Sequence, residues 1–393
     1  MRLHRVRLLQ ACEGVDMAAP KQAELDAALL AAAGRGDGPQ VARLIGEGAD
    51  TEAKDKDGWT PLYNACFFGH EACVRALLDA GANTEAVDLW RRTPLHIACA
   101  NGHALYVRAL LGAGANTEAA NNNGATPLFI ACQEGHEACV RALLSAGANK
   151  EAANKDGRTP LHIACRNGHE ACVRVLLGAG AIVEAVDKYG ATPLYIACSN
   201  GHEACVRALL GAGANKEAVT NIGLTPLFIV CQEGHEACVR AMLDAGANKE
   251  AADFCGLTPL HIACCFGHEA CVRVMLDAGA NIEAASTAGS TPLYIARSKG
   301  HLSIVRLLEE AAAVQRPDPA SPIISSGVFS TVSSASALAV PTPSQLAALP
   351  ALASAPTPSP APTSASTPTA ALVPAPSTAL ALSPAPAPAP ASS

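Results

Sequence analysis

Cysteine and histidine recur together in this sequence at a spacing that could ligate a metal ion. Cys66, His70 and Cys73 form a Cys-x3-His-x2-Cys pattern, and five later segments repeat it. Thiolate and imidazole are common zinc ligands, so a zinc site is the first hypothesis. The pattern lacks the paired Cys-x2-Cys of structural zinc sites, however, and one helix cannot direct all three side chains at one point. We therefore expect no metal and no other cofactor.

The histidines offer no catalytic pair, because nearly all of them belong to a repeated framework. His4 lies in the basic start, and the other eleven recur in register. They are His70, His103, His136, His169, His202, His235, His268 and His301 in Gly-His pairs, and His96, His162 and His261 at one further position. Histidines in register are expected to hydrogen-bond within the framework. We predict that the protein is not an enzyme.

The cysteines form two ladders with the same register. They are Cys66, Cys99, Cys132, Cys165, Cys198, Cys231 and Cys264, and then Cys73, Cys139, Cys172, Cys205, Cys238 and Cys271. Free cysteine packs as a small buried hydrophobe, so both ladders are predicted to lie in the core. Cys255 and Cys265 lie off the ladders and are candidates for exposed thiols. Because no apolar signal segment follows the basic start, we expect a reducing intracellular location, in the cytoplasm or also the nucleus.

The elements that hold these side chains are set by a repeat of 33 residues. Thr-Pro-Leu begins at Thr60, Thr93, Thr126, Thr159, Thr192, Thr225, Thr258 and Thr291, which define units 1 to 8. In unit 1, Thr60 can cap a helix through its hydroxyl, and Pro61 suits the first helical position. Gly69 ends that helix, and a second is predicted from about Glu71 to Ala80. A Gly/Asn/Asp-rich reversal then leads to the next unit.

Two helices this short cannot bury their apolar faces alone, so each unit must pack on its neighbours. The segment from Leu25 keeps two helical patterns but has no Thr-Pro-Leu, as expected of a unit that caps the stack. The sequence therefore predicts an all-α repeat solenoid across residues 25–313, with one capping unit and eight Thr-Pro-Leu units.

The repeated template resembles the ankyrin repeat family, whose consensus carries TPLHxAAxxGH, a Val-x-x-Leu-Leu run and a closing Gly-Ala. The likeness is clearest in GRTPLHIACRNGHEACVRVLLGAGAIVEA at residues 157–185. The resemblance implies helix-turn-helix units with projecting β-hairpin or turn loops. It also implies that partner proteins bind on the concave side of the stack, where the loop tips and the ends of the first helices lie.

The segments outside the stack are predicted to be disordered. Residues 1–24 form an extension, and residues 314–393 form a low-complexity tail rich in Pro, Ala, Ser and Thr. Such a tail has few groups with which to build a core and is expected to have polyproline II character. Arg316, Pro319 and Pro322 match the R-x-x-P-x-x-P pattern that an SH3-type domain accepts, although short proline motifs arise easily in this composition.

Composition excludes two further classes of protein. The net charge of −7 and the absence of a Lys/Arg-rich cluster count against nucleic-acid binding, which depends on neutralising phosphates. Every apolar stretch is interrupted well short of the length that a transmembrane helix requires, so no membrane span is expected.

A partner surface is predicted where the units differ most, at the loop tips and at the two residues after the Ala-Cys of the first helix. Of the 14 aromatic residues, seven lie at these variable sites, and both tryptophans are among them. Hot spots favour Trp, Tyr and Arg. The candidate contacts are Trp59, Phe67, Phe68, Trp90, Arg92, Arg158, Arg166, Tyr189, Phe254 and Phe266. The aromatic residues among them suggest two clusters, at 59–92 and 254–266. The alternative is that residues at the variable positions differ by neutral drift and have no role in binding.

Arg91 occupies a position at which seven other units have glycine. Glycine there suggests a positive φ angle, which arginine adopts only at a cost. Either Arg91 is a slightly strained contact residue or its loop has a different shape.

The function favoured by these observations is a non-enzymatic scaffold or adaptor that binds proteins. A substrate-recognition subunit of a ubiquitin-ligase-type complex is the alternative among interaction proteins, although no F-box, SOCS-like or BTB-like segment is visible. A Cys/His metal-binding or redox protein is the alternative from another class.

Overall fold

The computed structural model describes residues 18–315, with side chains described for residues 21–313. The chain divides into two units, 1–331 and 332–393, and the described residues all lie in the first. They contain eighteen α-helices and no β-strand. The helices are α1 Ala18–Arg35, α2 Gly38–Gly46, α3 Pro61–Phe68, α4 Glu71–Asp79, α5 Pro94–Ala100, α6 Ala104–Gly112, α7 Pro127–Glu134, α8 Glu137–Ser145, α9 Pro160–Asn167, α10 Glu170–Gly178, α11 Pro193–Ser199, α12 Glu203–Gly211, α13 Pro226–Glu233, α14 Glu236–Asp244, α15 Pro259–Phe266, α16 Glu269–Asp277, α17 Pro292–Lys299 and α18 Leu302–Gln315. Two helices per unit and turn-type loops confirm the predicted fold class.

The ends of each helix follow the predicted local chemistry. The Thr60 hydroxyl accepts the Tyr63 amide at 3.3 Å, and Pro61 is the first helical residue of α3. Gly69 ends α3 with a φ of 82°, a left-handed conformation that glycine adopts without strain. The threonine cap recurs in the later units, and the glycine stop recurs in all of them except units 2 and 5, whose first helices are capped by Asn101 and Asn200.

The core is a repeated layer of small apolar side chains between the two helices of each unit. In unit 1 it consists of Leu62, Cys66, Cys73, Val74 and Leu77, all with no exposed surface. Both cysteine ladders are buried, as the sequence predicted. Each first helix packs on its own second helix and on the first helices of the adjoining units, so the layers join into one continuous core.

Hydrogen bonds between units add to this packing. Nε2 of His136 donates to the carbonyl of Ala100 at 3.0 Å, and most of the other Gly-His histidines reach back one unit in the same way. Glu52 accepts the backbone amide of Asn83 at 2.8 Å, and this bond also recurs along the stack. Each of these bonds engages the Nε2 atom and gives the histidine a role in joining adjoining units.

The boundaries of the stack differ slightly from the predicted ones. Helix α1 begins at Ala18, so residues 18–24 are helical and the predicted disordered extension of 1–24 is wrong for that part. Side chains in this first helix tie it to the following loop: Gln22 donates to the Gly48 carbonyl at 3.0 Å, and Asp26 accepts the Asp50 amide at 2.8 Å. Residues 1–17 lie outside the described residues.

The last helix continues to Gln315, two positions beyond the predicted end of the stack at residue 313. Its alanine-rich end favours helix, and Arg316 precedes Pro317, which disfavours the helical conformation at that position. The predicted tail from there onwards, including the SH3-type motif at Arg316, Pro319 and Pro322, lies outside the described residues.

None of the helices between residues 18 and 315 is long and apolar enough to cross a membrane.

Candidate protein-binding surface

The loop before each Thr-Pro-Leu is a rigid turn that presents its tip residues. In the turn before unit 1, the Asp55 amide donates to the Trp59 carbonyl at 3.1 Å. The Asp55 carboxylate accepts the amides of Asp57 and Trp59, both at 2.9 Å. Asp88, Asn121, Asn154, Asp187 and Asp253 hold the later turns in the same way. We call the surface made by these tips and the last turns of the first helices the loop-tip face.

Backbone bonds also join one tip to the next along the loop-tip face. The amide of Lys188, for example, donates to the carbonyl of Asp156 in the preceding turn at 3.0 Å. Within residues 18–315 this link is absent at Leu89, between units 1 and 2, and at Phe254, between units 6 and 7. The two interruptions fall at Leu89 and Phe254, the two most exposed apolar tip residues of the described turns.

Four aromatic rings of unit 1 form a continuous series that we call the aromatic ladder: Trp59, Tyr63, Phe67 and Phe68. The Trp59 ring centroid lies 4.9 Å from that of Tyr63 and 5.0 Å from that of Phe67. Phe67 and Phe68 meet edge to face at 5.0 Å. Tyr63 is buried, whereas Phe68 is 52% exposed. The ladder therefore runs from the core to the surface and presents rings already fixed by one another.

Trp59 carries a polar group that the fold leaves without a partner. Its indole Nε1 atom is buried and makes no hydrogen bond. A buried donor without an acceptor costs free energy in the free protein.

The tip of unit 2 is only partly joined to the ladder. The Arg92 guanidinium lies 4.7 Å from the centroid of the Trp90 ring and contacts the Asp88 carboxylate at 2.7 Å. The Tyr63 hydroxyl donates to that same carboxylate, also at 2.7 Å. Among the described residues, Trp90 makes no ring contact with the ladder. Arg92 is thus bound within the framework by Asp88, and its contact with the Trp90 ring holds that ring in place.

Arg91 has a φ of 60°, and it is the only described non-glycine residue with a positive φ. Its turn is closed by the same bonds as the glycine-containing turns: the Asp88 amide donates to the Arg92 carbonyl and the Arg91 amide to the Asp88 carbonyl. Of the two interpretations of Arg91, the structure therefore supports strain at an unchanged turn.

The candidates in units 4 and 5 form a charged group. Arg158, whose side chain is 12% exposed, contacts the Asp187 carboxylate at 3.3 Å. Lys188 pairs with Asp156, and its ammonium lies 5.0 Å from the centroid of the Tyr189 ring. Partial burial, and then the charge of Arg158, lower the pKa of Arg166.

The second predicted aromatic cluster is not a cluster of touching rings. Phe254 is 80% exposed and lies against Gly223 in the preceding turn, where a Cβ atom would be 2.7 Å from its ring. Phe266 stacks on His268 with a centroid distance of 6.3 Å. Among the described residues, Phe254 and Phe266 make no ring contact with each other, so the structure shows two separate apolar positions on unit 7.

The carboxylates that organise this face were not predicted from the sequence. Asp88, Asp156 and Asp187 set the positions of Arg92, Lys188 and Arg158, yet none was among the candidates. Their spacing in the sequence could have identified them. Asp156 and Lys188 are separated by one residue less than a full repeat, which places them on adjoining tips. Within residues 18–315, no group of three or more His, Cys, Asp or Glu side chains is arranged to hold a metal ion.

A family model for ankyrin repeats, in blocks of three copies, matches the chain repeatedly between residues 5 and 318. The matched segments are 5–88, 28–121, 80–154, 106–187, 149–220, 180–253 and 227–318. The chain belongs to the ankyrin repeat family. Ankyrin repeats are generally protein–protein interaction modules, and proteins built from them are typically non-enzymatic. No curated protein matched the chain.

Proposed function

We propose that this ankyrin repeat protein is a non-enzymatic scaffold that binds partner proteins along its loop-tip face. The observation that carries the proposal is the aromatic ladder, because it presents Phe67 and Phe68 to solvent on rings that are already ordered. Ordered aromatic side chains lose little conformational entropy on binding and are frequent hot spots.

The face is built from variable positions on a repeated framework. Unit 1 offers the aromatic ladder, unit 2 offers Leu89 and Trp90, and unit 7 offers Phe254 and Phe266. A scaffold can therefore use different units for different parts of one partner, or for different partners, without changing its core.

The proposal is tested by cross-linking and affinity capture from the native cell type with the full chain and two variants. Phe67→Ala/Phe68→Ala/Trp90→Ala is expected to lose at least one defined partner, identified by mass spectrometry, with unchanged helix content by circular dichroism. Leu105→Ala is the matched control, since Leu105 is also an exposed apolar residue but lies on the second helix of unit 2. Retention of every partner by the triple variant would contradict the proposal.

We also propose an intracellular, cytoplasmic location. All fifteen cysteines between residues 18 and 315 are free, and a reducing compartment keeps thiols in that state. Fractionation of cells that express the tagged chain tests this, and recovery in a secreted fraction would contradict it.

A further inference from the structure

Arg91 occupies a position of the loop tip that favours glycine on two grounds. Its φ of 60° falls in the left-handed region, as do the φ angles of the glycines at this position in the other seven turns. At two of these glycines, Gly124 and Gly157, a Cβ atom would lie 3.1 Å from the backbone amide nitrogen of the next turn. A side chain at this position therefore adds conformational strain and close contact.

The strained backbone of Arg91 is held by bonds within its own turn and from the next turn. The Asp88 carboxylate accepts the amides of Trp90 at 2.9 Å and Arg92 at 2.8 Å. The Trp90 carbonyl accepts the Asn122 amide at 3.0 Å. The strain is thus a fixed feature of the free protein, and residues held in such conformations often serve in binding.

The side chain of Arg91 is exposed, and the fold does not neutralise its charge. Within residues 18–315 this side chain makes no ion pair and no hydrogen bond. The Asp88 carboxylate is buried and already accepts from the side chains of Tyr63 and Arg92. The residues of the next tip, 121–123, are three asparagines and carry no charge. The guanidinium of Arg91 therefore keeps all of its donors for an acceptor from outside.

The surroundings of Arg91 favour a carboxylate on a protein over a nucleic acid. Leu89, on the same tip, is 65% exposed, and Phe68 of the aromatic ladder is 52% exposed. Nucleic-acid binding depends on the neutralisation of several phosphates, whereas this tip offers one unpaired cation. A protein segment that covers the apolar side chains also excludes water from Arg91, which strengthens an ion pair there.

We propose that Arg91 binds a carboxylate side chain of a partner protein, in a segment whose neighbouring apolar side chain contacts Leu89. A guanidinium can donate two parallel hydrogen bonds to a carboxylate, a geometry that orients the bound segment. Glycine at this position would remove the strain and the contact together, so stability and binding should change in opposite directions. This inference rests on the proposed function, because it names the chemistry of the partner that the loop-tip face accepts.

The test uses peptides selected from a displayed random library on the full-length protein, with affinities measured by fluorescence anisotropy. The selected peptides are expected to contain Asp or Glu next to an apolar residue. Arg91→Gly and Arg91→Gln should both weaken their binding roughly fivefold or more, because each removes the charge-assisted contact. Arg91→Lys should retain part of the affinity, since lysine keeps the charge without the planar fork.

Urea denaturation of the same three variants separates the contact from the strain. Only Arg91→Gly should raise the midpoint of unfolding, because glycine adopts a positive φ without strain while glutamine and lysine do not. An Arg91→Gly variant that is more stable and keeps full affinity would overturn the inference. Loss of both stability and affinity in this variant would also overturn it, since damage to the turn would then explain the weaker binding.

Arg108→Gln is the matched control, because Arg108 is an exposed arginine of the same unit that lies on α6, away from the tip. It makes the same change in net charge as Arg91→Gln and should change the affinity less than about twofold. Equal weakening by these two variants would overturn the inference, as would a selection that yields no acidic peptides or none at all. Peptides whose binding depends on Phe67 and Phe68 but not on Arg91 would overturn it while supporting the proposed function.

Discussion

Tyr63 and Tyr195 occupy the same position of the repeat but differ in hydrogen bonding. The Tyr63 hydroxyl donates to Asp88, whereas the buried Tyr195 hydroxyl has no partner. The cause lies in the loop that leads to the next unit. There, Thr220 of unit 6 occupies the position of Asp88, and its shorter side chain accepts only the Leu224 amide. A single substitution in one turn thus leaves a polar group of the adjoining unit unsatisfied.

This difference predicts opposite effects of the same substitution. Tyr195→Phe should leave the free energy of unfolding unchanged or raise it, because it removes a buried hydroxyl without a partner. Tyr63→Phe should lower it by about 1–2 kcal/mol, because the buried Asp88 loses a donor. Phenylalanine fits this position, as Phe129 and Phe228 show. Urea denaturation of both variants is the measurement, and equal losses of stability would contradict the explanation.

Three histidines at this same position are buried and neutral. His96 accepts the Thr93 amide through Nδ1 at 3.1 Å and donates through Nε2 to the Ala125 carbonyl at 3.1 Å. Burial lowers its pKa to about 4, and burial also lowers the pKa of His162 and His261. The unfolded chain therefore binds more protons than the folded chain between the lowered pKa values and the ordinary value near 6.5.

The free energy of unfolding should therefore decrease as the pH falls through this window. A histidine whose pKa is lower in the folded state contributes its full stabilisation only above its pKa in the unfolded chain. For His96 alone the loss between pH 7 and pH 4 is up to about 3 kcal/mol. His96→Phe should flatten the decrease in the melting temperature with falling pH, whatever its effect at pH 7. An unchanged slope in thermal melts at several pH values would show that His96 is not responsible.

At the scale of elements, most loops after a second helix are closed by the side chain of an asparagine. The Asn83 side chain accepts the Glu85 amide at 2.8 Å, and Asn116, Asn149, Asn215, Asn248 and Asn281 do the same for their own glutamates. Unit 4 has Ile182 at this position, 55% exposed, which cannot accept the Glu184 amide. The link to the preceding glutamate survives there because it uses the Ile182 backbone.

Ile182→Asn is therefore expected to raise the free energy of unfolding by about 0.5–1.5 kcal/mol, because it restores a side-chain bond to the backbone and removes an exposed apolar group. The reverse change at a normal unit, Asn215→Ile, should lower it by a similar amount. Thermal melts of the two variants measure the effect. A loss of stability in Ile182→Asn would mean that the isoleucine packs on the loop in a way that its exposure does not indicate.

At the scale of the whole stack, the cysteine ladders form two rows of buried thiols, the second of which is interrupted at Tyr106. Desolvation raises the pKa of every ladder cysteine, to about 11 for Cys139 and Cys172 on the second helices. Cys255 is exposed and Cys265 is half-buried. Because the thiolate is the reactive form, burial should protect the ladders as a group.

In a Cys12→Ser background, Cys255 and Cys265 should react first with a thiol reagent, and the ladder cysteines should react only when the stack unfolds. Peptide mapping by mass spectrometry after timed labelling identifies the modified sites. Labelling of several ladder cysteines as rapidly as Cys255 would indicate that units open independently under native conditions.

The sequence by itself determined the fold and the number of units. A period of 33 residues with a capping threonine, a first-turn proline and a terminal glycine fixes each helix through local chemistry, which does not depend on distant residues. The same period placed the cysteines in the core and the Gly-His histidines in the framework. The start of the first helix was less predictable, because its stability depends on bonds from Gln22 and Asp26 to the following loop.

Only the tertiary structure decided which candidate side chains act together. Trp59, Phe67 and Phe68 meet because a loop tip and the end of the following helix lie on one face, whereas Phe254 and Phe266 remain apart. Arg92 and Arg158 are bound to buried carboxylates, while Lys188 pairs with Asp156 at the surface. Repetition fixes the register of each residue, but the distances between adjoining units decide which side chains meet and which charges are paired within the fold.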